Sequence, residues 1–165
     1  MNLFIIRHAW AEEHDPERWP DDSARPLTSL GIERFKTLVR TLAGREFKPE
    51  IVATSPYVRC VQTADIVSVC AKGDIIVDRV EALEPGSDID AMIAWTNKCA
   101  AKGFEEVAWV GHAPDVGDLA GELIGNEAAV RFAKGAIAMI SFDSDKIIAG
   151  EGELRWLVTA KILGL

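Results

Sequence analysis

The sequence has no long apolar run, few cysteines and no excess of positive charge. A membrane-spanning helix needs about 20 consecutive apolar residues, and charged residues interrupt every apolar run well before that length. The first apolar run already ends at Arg7 and His8, which is too early for the apolar region of a secretory signal. We therefore expect no membrane association and a cytoplasmic location.

Cysteine usage and net charge exclude two further classes of protein. Cys60, Cys70 and Cys99 are odd in number, widely spaced and form no Cys-x-x-Cys pair, which argues against a disulfide framework and a zinc knuckle. We expect them to be packing residues. Asp and Glu total 26 against 18 Lys and Arg, a net charge of -8. Because nucleic-acid binding needs a basic face, we expect no nucleic-acid partner.

The apolar pattern alternates between strands and helices along the chain. Short apolar runs predict strands at residues 3–6, 51–54, 75–77 and 106–110, each followed by a stretch with helical spacing. Two further strands, 136–142 and 154–158, are joined by a polar turn. At 165 residues the chain suits one domain over residues 1–165. Repeated strand-helix units predict an α/β fold with a mostly parallel sheet and helices on both faces.

Capping residues predict where the helices begin. The first helix begins at about Thr28 and ends near Gly44, which suits a C-terminal cap. Ser55 is predicted to cap the second helix, with proline at its first position. Ser87 is predicted to cap the third helix, and Pro114 to open the fourth.

Basic side chains follow three predicted strands at the point where each strand ends. Arg7 and His8 follow the first, Arg59 follows the second within "ATSPYVRCVQT", and His112 follows a later one within "VAWVGHAPDVG". Strand ends of an open α/β sheet form one ligand-binding rim. Clustered cations repel one another unless an anion lies between them, and helix N-termini and arginine forks both suit phosphate. Each motif alone is more typical of an ordinary structural role, but together they predict a phosphate pocket.

The order of these motifs resembles the histidine phosphatase superfamily. "RHA" ends the first strand, "SPYVRCVQT" follows the second, and "GHAP" lies far downstream, where the family has its second histidine. The short length and the stretch "RPLTSLG" are similar to the SixA-type phosphohistidine phosphatases. The resemblance implies a three-layer α/β/α sandwich of the phosphoglycerate mutase-like kind. Ala9 stands where the superfamily usually has glycine, which leaves the detailed backbone of that loop open.

The resemblance also implies the roles of four residues. His8 is the implied nucleophile, which becomes a phosphohistidine that water then hydrolyses, while Arg7, Arg59 and His112 bind the phosphate oxygens. Phosphoryl transfer depends mainly on positioning and charge stabilisation, and a covalent relay divides one hard step into two. His8 must be neutral to attack, whereas His112 helps most as a cation, so we expect the two to titrate differently. No cofactor or metal is implied.

The implied substrate is a phosphohistidine on a signalling protein, such as a histidine-phosphotransfer domain. The conjugate acid of imidazole has a pKa of about 6.5, so imidazole leaves with less help than an alkoxide does. Glu81 and Glu84 are the candidates for a general acid, and neither is assigned. Between Arg59 and His112 the chain has room for roughly two strands and one helix. Without an inserted lid, we expect a shallow, open pocket.

Two other functions remain open on the sequence alone. One is a broad-specificity, metal-independent phosphomonoesterase of small phosphate esters. The other is a non-catalytic phospho-binding module, which would not need His8. A metal-dependent hydrolase using His8, His14 and His112 lacks carboxylates at ligand spacing, and we expect His14 to be exposed. A cysteine phosphatase needs arginine six residues after its cysteine, but Ile66 stands at that offset from Cys60. No Gly-x-Gly-x-x-Gly follows the first strand, so dinucleotide binding is not expected.

Overall fold

A six-stranded sheet with helices on both faces forms the centre of the computed structural model, which describes residues 1–126 and 128–165. Strands and helices alternate until the last two strands. The strands are β1 Asn2–Arg7, β2 Ile51–Thr54, β3 Ile76–Arg79, β4 Glu106–Gly111, β5 Ile137–Ser141 and β6 Glu153–Val158. The helices are α1 Ser29–Ala43, α2 Val58–Cys70, α3 Ile89–Ala100 and α4 Asp115–Leu123, with 3-10 turns at Asp22–Ala24, Glu81–Leu83 and Ala160–Leu163.

The strand order brings the ends of three strands together. The order across the sheet is β3-β2-β4-β1-β5-β6. The first four strands pair in parallel, and β5 runs antiparallel to both β1 and β6. Because β4 pairs with both β1 and β2, Arg7 lies opposite Gly111 and Thr54 lies opposite Val110. The carboxyl ends of β1, β2 and β4 are therefore neighbours on one rim.

The alternation of side chains along β1 explains the three layers. Phe4 and Ile6 pack into a cluster with side chains of α1 and α2, whereas Leu3 and Ile5 pack into a second cluster with α3 and α4. All four are fully buried, and burying each such side chain contributes roughly 1.5–3 kcal/mol. A strand that is apolar on both faces fits only between two helical layers. The predicted α/β/α sandwich with a mostly parallel sheet is thus confirmed.

Helix α1 has the predicted ends and packs closely on the loop after β1. Thr28 is the N-cap, and its Oγ1 accepts a hydrogen bond from Gly31 N at 2.9 Å, while Gly44 is the C-cap. A Cβ on Gly31 would lie 2.4 Å from the carbonyl oxygen of Trp10. Only glycine permits this approach, so the helix lies directly against the segment that follows His8.

Two of the predicted caps are wrong. Helix α2 begins at Val58 with Tyr57 as its N-cap. The Ser55 hydroxyl lies 2.9 Å from Nε2 of His112 and accepts only a long, 3.4 Å hydrogen bond from the N–H of Tyr57. The cap of α3 is Asp88, whose carboxylate accepts from Ala91 N at 3.0 Å, whereas the Ser87 hydroxyl donates to a carbonyl. The other predicted boundaries lie within two residues of the observed ones, and that of β2 is identical.

The cysteines are packing residues, as predicted. Cys60 and Cys99 are buried in the two core clusters, Cys70 packs against the first cluster, and all three are free thiols. Within the described ranges, no helix combines the length and apolarity that crossing a membrane requires.

Candidate active site

The basic residues predicted from the strand ends meet at one rim. His8 follows β1, and its backbone N–H donates to the carbonyl of Gly111 at 3.0 Å. The rings of His8 and His112 lie 5.5 Å apart, centroid to centroid. Arg59, in the first turn of α2, places its NH2 group 3.3 Å from Nδ1 of His112. Arg7 is anchored by a 2.8 Å hydrogen bond from NH1 to the carbonyl of Phe132.

His8 is oriented so that one ring nitrogen keeps its lone pair. Nδ1 lies 2.7 Å from the carbonyl oxygen of Ala9. Because a carbonyl only accepts hydrogen bonds, Nδ1 carries the proton and Nε2 is unprotonated. Burial, helped by the charges of Arg59, His112 and Arg7, lowers the pKa of His8 to about 3. The imidazole is therefore neutral near pH 7, as a nucleophile requires.

Ala9 fits the place that is usually glycine in the superfamily. It is fully buried, and its N–H donates to the Thr63 hydroxyl at 3.0 Å, which in turn donates to the carbonyl of Arg59 at 2.7 Å. No non-glycine residue in the described part of the chain has a positive φ. The loop thus tolerates a methyl group, and Thr63 ties it to α2.

His112 is neutral as well, with the opposite tautomer. Its Nδ1 faces the Arg59 guanidinium, which can only donate, so Nε2 carries the proton and donates to the Ser55 hydroxyl at 2.9 Å. Burial, followed by the charge of Arg59, lowers the pKa of His112 to about 4. The expectation that His112 is a cation while His8 is neutral is therefore wrong for the protein by itself. An anion beside the two rings would raise both pKa values.

Two buried guanidinium N–H groups suit an anion. The Nε atoms of Arg7 and Arg59 are buried and lack a hydrogen-bond partner among the residues that the structure describes. A buried donor without a partner costs about 1–3 kcal/mol, so such groups need an explanation. Both belong to arginines on the rim beside His8. An oxyanion bound there would supply the missing acceptors.

Asp22 is a site residue that the sequence did not reveal. Its carboxylate lies 3.0 Å from NH2 of Arg59, and its backbone carbonyl accepts from NH1 of the same arginine at 2.8 Å. Arg25 and His14 also bind this carboxylate, at 2.7 and 3.1 Å. His14 is exposed, as predicted, with 65% of its side chain accessible. The loop sequence has no motif or periodicity that would have predicted the contacts of Asp22 with Arg25, His14 and Arg59.

Tyr57 and Cys60 complete the surroundings of His112. The Tyr57 ring lies 4.9 Å from the His112 ring, and the Arg59 guanidinium carbon lies 4.9 Å from the Tyr57 centroid. Sγ of Cys60 is 3.5 Å from Nε2 of His112. Burial raises the pKa of the Cys60 thiol to about 12, so it stays protonated and is not a nucleophile.

Neither candidate for the general acid is drawn into the site. Glu81 is exposed and Glu84 is half-buried, in the 3-10 turn and next to it. Among the described residues, neither carboxylate forms a hydrogen bond with His8 or His112.

The side chains of the candidate site are buried. His8 is only 8% exposed, and Arg59 and His112 are 4% exposed each. These exposures describe the side chains alone, and the shallow, open pocket stays a prediction. The spacing argument itself is confirmed, since only β3, a 3-10 turn, α3 and β4 follow α2 before His112. No inserted lid lies between Arg59 and His112.

Replacing His8 with asparagine should make the fold less sensitive to acid. The pKa of His8 falls from 6.5 to about 3 on folding. Between these two values the unfolded chain binds a proton on His8 and the folded protein does not. The free energy of unfolding therefore decreases as the pH is lowered from 6.5 towards 3. By pH 5 this linkage removes about 2 kcal/mol of unfolding free energy. Urea unfolding at pH 7 and pH 5 measures the loss, which should shrink by that amount in His8→Asn. The same loss in both proteins would contradict the burial of a neutral His8.

Within the described ranges, no group of three or more His, Cys, Asp or Glu side chains is placed to hold a metal ion.

Comparisons with known proteins agree with this geometry. The model of the histidine phosphatase superfamily (branch 1) matches residues 3–83. Phosphohistidine phosphatase SixA of Escherichia coli (strain K12) is 30% identical over 156 residues, which cover 94% of this chain and 92% of that protein. The chain belongs to the histidine phosphatase superfamily.

Further relatives place it near the SixA-type members of the superfamily. The phosphohistidine phosphatase SixA homolog of Haemophilus influenzae (strain ATCC 51907) is 27% identical over 157 residues, covering 88% of this chain and 91% of that one. The solved structure of the protein histidine phosphatase SixA complexed with tungstate has a TM-score of 0.85 at 29% identity and covers 99% of both chains. The phosphoglycerate mutase-like fold implied by the motifs is thus confirmed.

Proposed function

We propose that this protein is a phosphohistidine phosphatase, which removes the phosphoryl group of a protein phosphohistidine through a covalent intermediate on His8. One observation carries the proposal. His8 is buried and neutral, with Nδ1 bound to the Ala9 carbonyl and Nε2 unprotonated. It lies beside His112 and two arginines whose buried Nε–H groups have no partner in the described part of the chain. This arrangement combines a nucleophile with binding groups for an oxyanion.

The first step transfers the phosphoryl group to His8. The Nε2 lone pair attacks phosphorus, the substrate's N–P bond breaks, and its electron pair leaves with the substrate imidazole, which takes up a proton from solvent water. The His8 ring gains positive charge, and the Ala9 carbonyl that accepts from Nδ1 stabilises it. In the second step water attacks phosphorus, and the P–Nε2 bond breaks. Phosphate leaves, and the neutral imidazole is restored.

The arginines and His112 stabilise the charge that spreads over the phosphoryl oxygens. Arg7 and Arg59 each have a buried Nε–H to donate, and a dianionic group would favour protonation of His112. Such fixed donors act where charge develops and need no reorganisation. They supply the positive charge that a metal ion brings to other phosphatases, so we propose a metal-independent reaction.

The substrate class rests on the leaving group and on the relatives. Both relatives are named for phosphohistidine. An imidazole leaves readily, and among the described residues neither Glu81 nor Glu84 forms a hydrogen bond with His8 or His112, so the site suits phosphoramidates better than esters. A histidine-phosphotransfer domain is the proposed partner, in a cytoplasmic signalling pathway. No inserted lid lies between Arg59 and His112, which supports the approach of a protein domain to the rim.

A comparison of two substrates tests the proposed function. We expect kcat/KM for a phosphorylated histidine-phosphotransfer domain to exceed that for a sugar phosphate by a factor of about 10 or more, because only the ester needs a general acid. A parallel series with EDTA should give the same rates. A ratio below one would indicate a phosphomonoesterase, phosphate binding without turnover of either substrate would indicate a binding module, and loss of activity in EDTA would contradict metal independence.

A further inference from the structure

We propose that Asp22 is a positioning residue that holds the Arg59 guanidinium in its phosphate-binding orientation, a role that rests on the proposed function. Asp22 binds Arg59 at two points. Its backbone carbonyl accepts from NH1 at 2.8 Å, and its carboxylate lies 3.0 Å from NH2. NH2 also faces Nδ1 of His112 at 3.3 Å. With both terminal nitrogens bound, the planar fork has one orientation, and its buried Nε–H has no partner among the described residues.

Asp22 can fix Arg59 because Asp22 is itself held from the other side. Arg25 Nε donates to its carboxylate at 2.7 Å, and His14 Nδ1 lies 3.1 Å from the same oxygen. Arg25 in turn donates from NH1 to the carbonyl of Glu12 at 2.7 Å. The pKa of Asp22 lies well below its usual range, mainly because Arg25 donates a hydrogen bond to the carboxylate. The hydrogen bond with His14 and the charge of Arg59 act in the same direction. The carboxylate is thus always charged near neutral pH.

The charge of Asp22 also supports the burial of Arg59. Only 5% of the Arg59 side chain is accessible, whereas Asp22 is 35% accessible. Burial lowers the pKa of Arg59, and the nearby Asp22 carboxylate opposes that effect. Without the carboxylate, the backbone carbonyl would hold NH1, but nothing of opposite charge would hold NH2. The guanidinium could then rotate about its Cδ–Nε bond and misalign Nε–H.

Replacing Asp22 with alanine should therefore lower kcat/KM by roughly 10- to 100-fold, mainly through kcat, because small misplacements of a binding group affect the transition state most. Asp22→Asn should have a smaller effect, since its amide oxygen can still accept from Arg59. Asp21→Asn is the matched control. Asp21 is the exposed neighbour that caps the 3-10 turn through Ser23 N, and its variant should keep kcat/KM within about twofold. Wild-type kcat/KM in Asp22→Ala would overturn the proposal.

A double-mutant cycle separates positioning of Arg59 from a general structural role. If Asp22 acts through Arg59, Asp22→Ala should cause no further loss of kcat/KM in an Arg59→Ala background. Additive losses would show that Asp22 acts by another route and would overturn the proposal.

The same double-mutant cycle can be measured on the Kd of inorganic phosphate for the full chain, a measurement that does not depend on catalysis. Asp22→Ala should raise the Kd several-fold in the wild-type background and leave it unchanged in Arg59→Ala. If the wild-type protein binds phosphate but turns over no substrate, the proposed function fails, and this binding cycle alone then decides the role of Asp22.

Discussion

Replacing His8 with asparagine is expected to lower kcat for a phosphohistidine protein by at least about 10⁴-fold, the scale seen when a covalent nucleophile is removed. The asparagine amide can still donate to the Ala9 carbonyl that now binds Nδ1, so the local fold is preserved. It has no counterpart of the Nε2 lone pair. The effect should therefore lie in kcat and not in folding.

Three measurements make this result decisive. Steady-state kinetics give kcat, thermal unfolding at pH 7 checks the fold, and binding of inorganic phosphate checks the arginines. His8→Gln is the companion variant, because its longer side chain places an amide nearer to Nε2 yet remains non-nucleophilic. We expect both variants to fold, bind phosphate and lack turnover. Activity within tenfold of the wild type in either would exclude His8 as the nucleophile.

Replacing Arg59 with alanine is expected to lower kcat/KM by about 10²- to 10³-fold, as for the loss of one transition-state hydrogen-bond donor. Arg59 provides a buried Nε–H and sits against His112 and Asp22. Arg59→Lys should restore little of the lost kcat/KM. The lysine ammonium lacks the planar guanidinium that lets Arg59 contact His112, Asp22 and an oxyanion at the same time.

Arg155→Ala is the matched control for the loss of an arginine. Arg155 is half exposed, lies on β6 and pairs with Glu153, so its removal should leave kcat/KM within about twofold of the wild type. If Arg59→Ala behaved like Arg155→Ala, the proposed oxyanion site would be wrong.

The sheet and the rim were predictable because both follow from the local pattern. Short apolar runs such as residues 3–6 favour buried strands because they are too short for a helix, and parallel strands separated by helices place their carboxyl ends on one rim. Once the strands were assigned, Arg7, His8, Arg59 and His112 had to lie near that rim. The structure confirms their placement there, while their roles in catalysis remain proposals.

The features that were missed depend on contacts between distant segments. Asp22 meets Arg59 across 37 residues of sequence, and the loop that carries it has no periodicity to reveal where it folds back. Ser55 has the chemistry of a helix cap, yet a hydrogen bond to His112 takes its hydroxyl. Local preference gives way to a tertiary contact in such cases.

The protonation of His112 could not be derived from residue types alone. A histidine in a predicted phosphate pocket suggests a cation, but its pKa is lowered to about 4 by burial and by the adjacent Arg59. Both effects depend on how far the ring is buried and on which nitrogen faces the guanidinium. The cap of α3 could not be identified from the sequence for a simpler reason. Ser87 and Asp88 are adjacent and both are good capping residues, and only the folded structure shows that Asp88 is the cap.

Trapping the phosphoenzyme tests the central claim most directly. Wild-type protein is mixed with a radiolabelled phosphohistidine domain and quenched within one turnover, and the label on the chain is assayed in acid, in alkali and by peptide mass spectrometry. We predict label on His8 that is lost in acid and stable in alkali, as phosphoramidates are, and none in His8→Asn. Full labelling of His8→Asn, or turnover of wild-type protein with no label at any quench time, would contradict a covalent intermediate on His8.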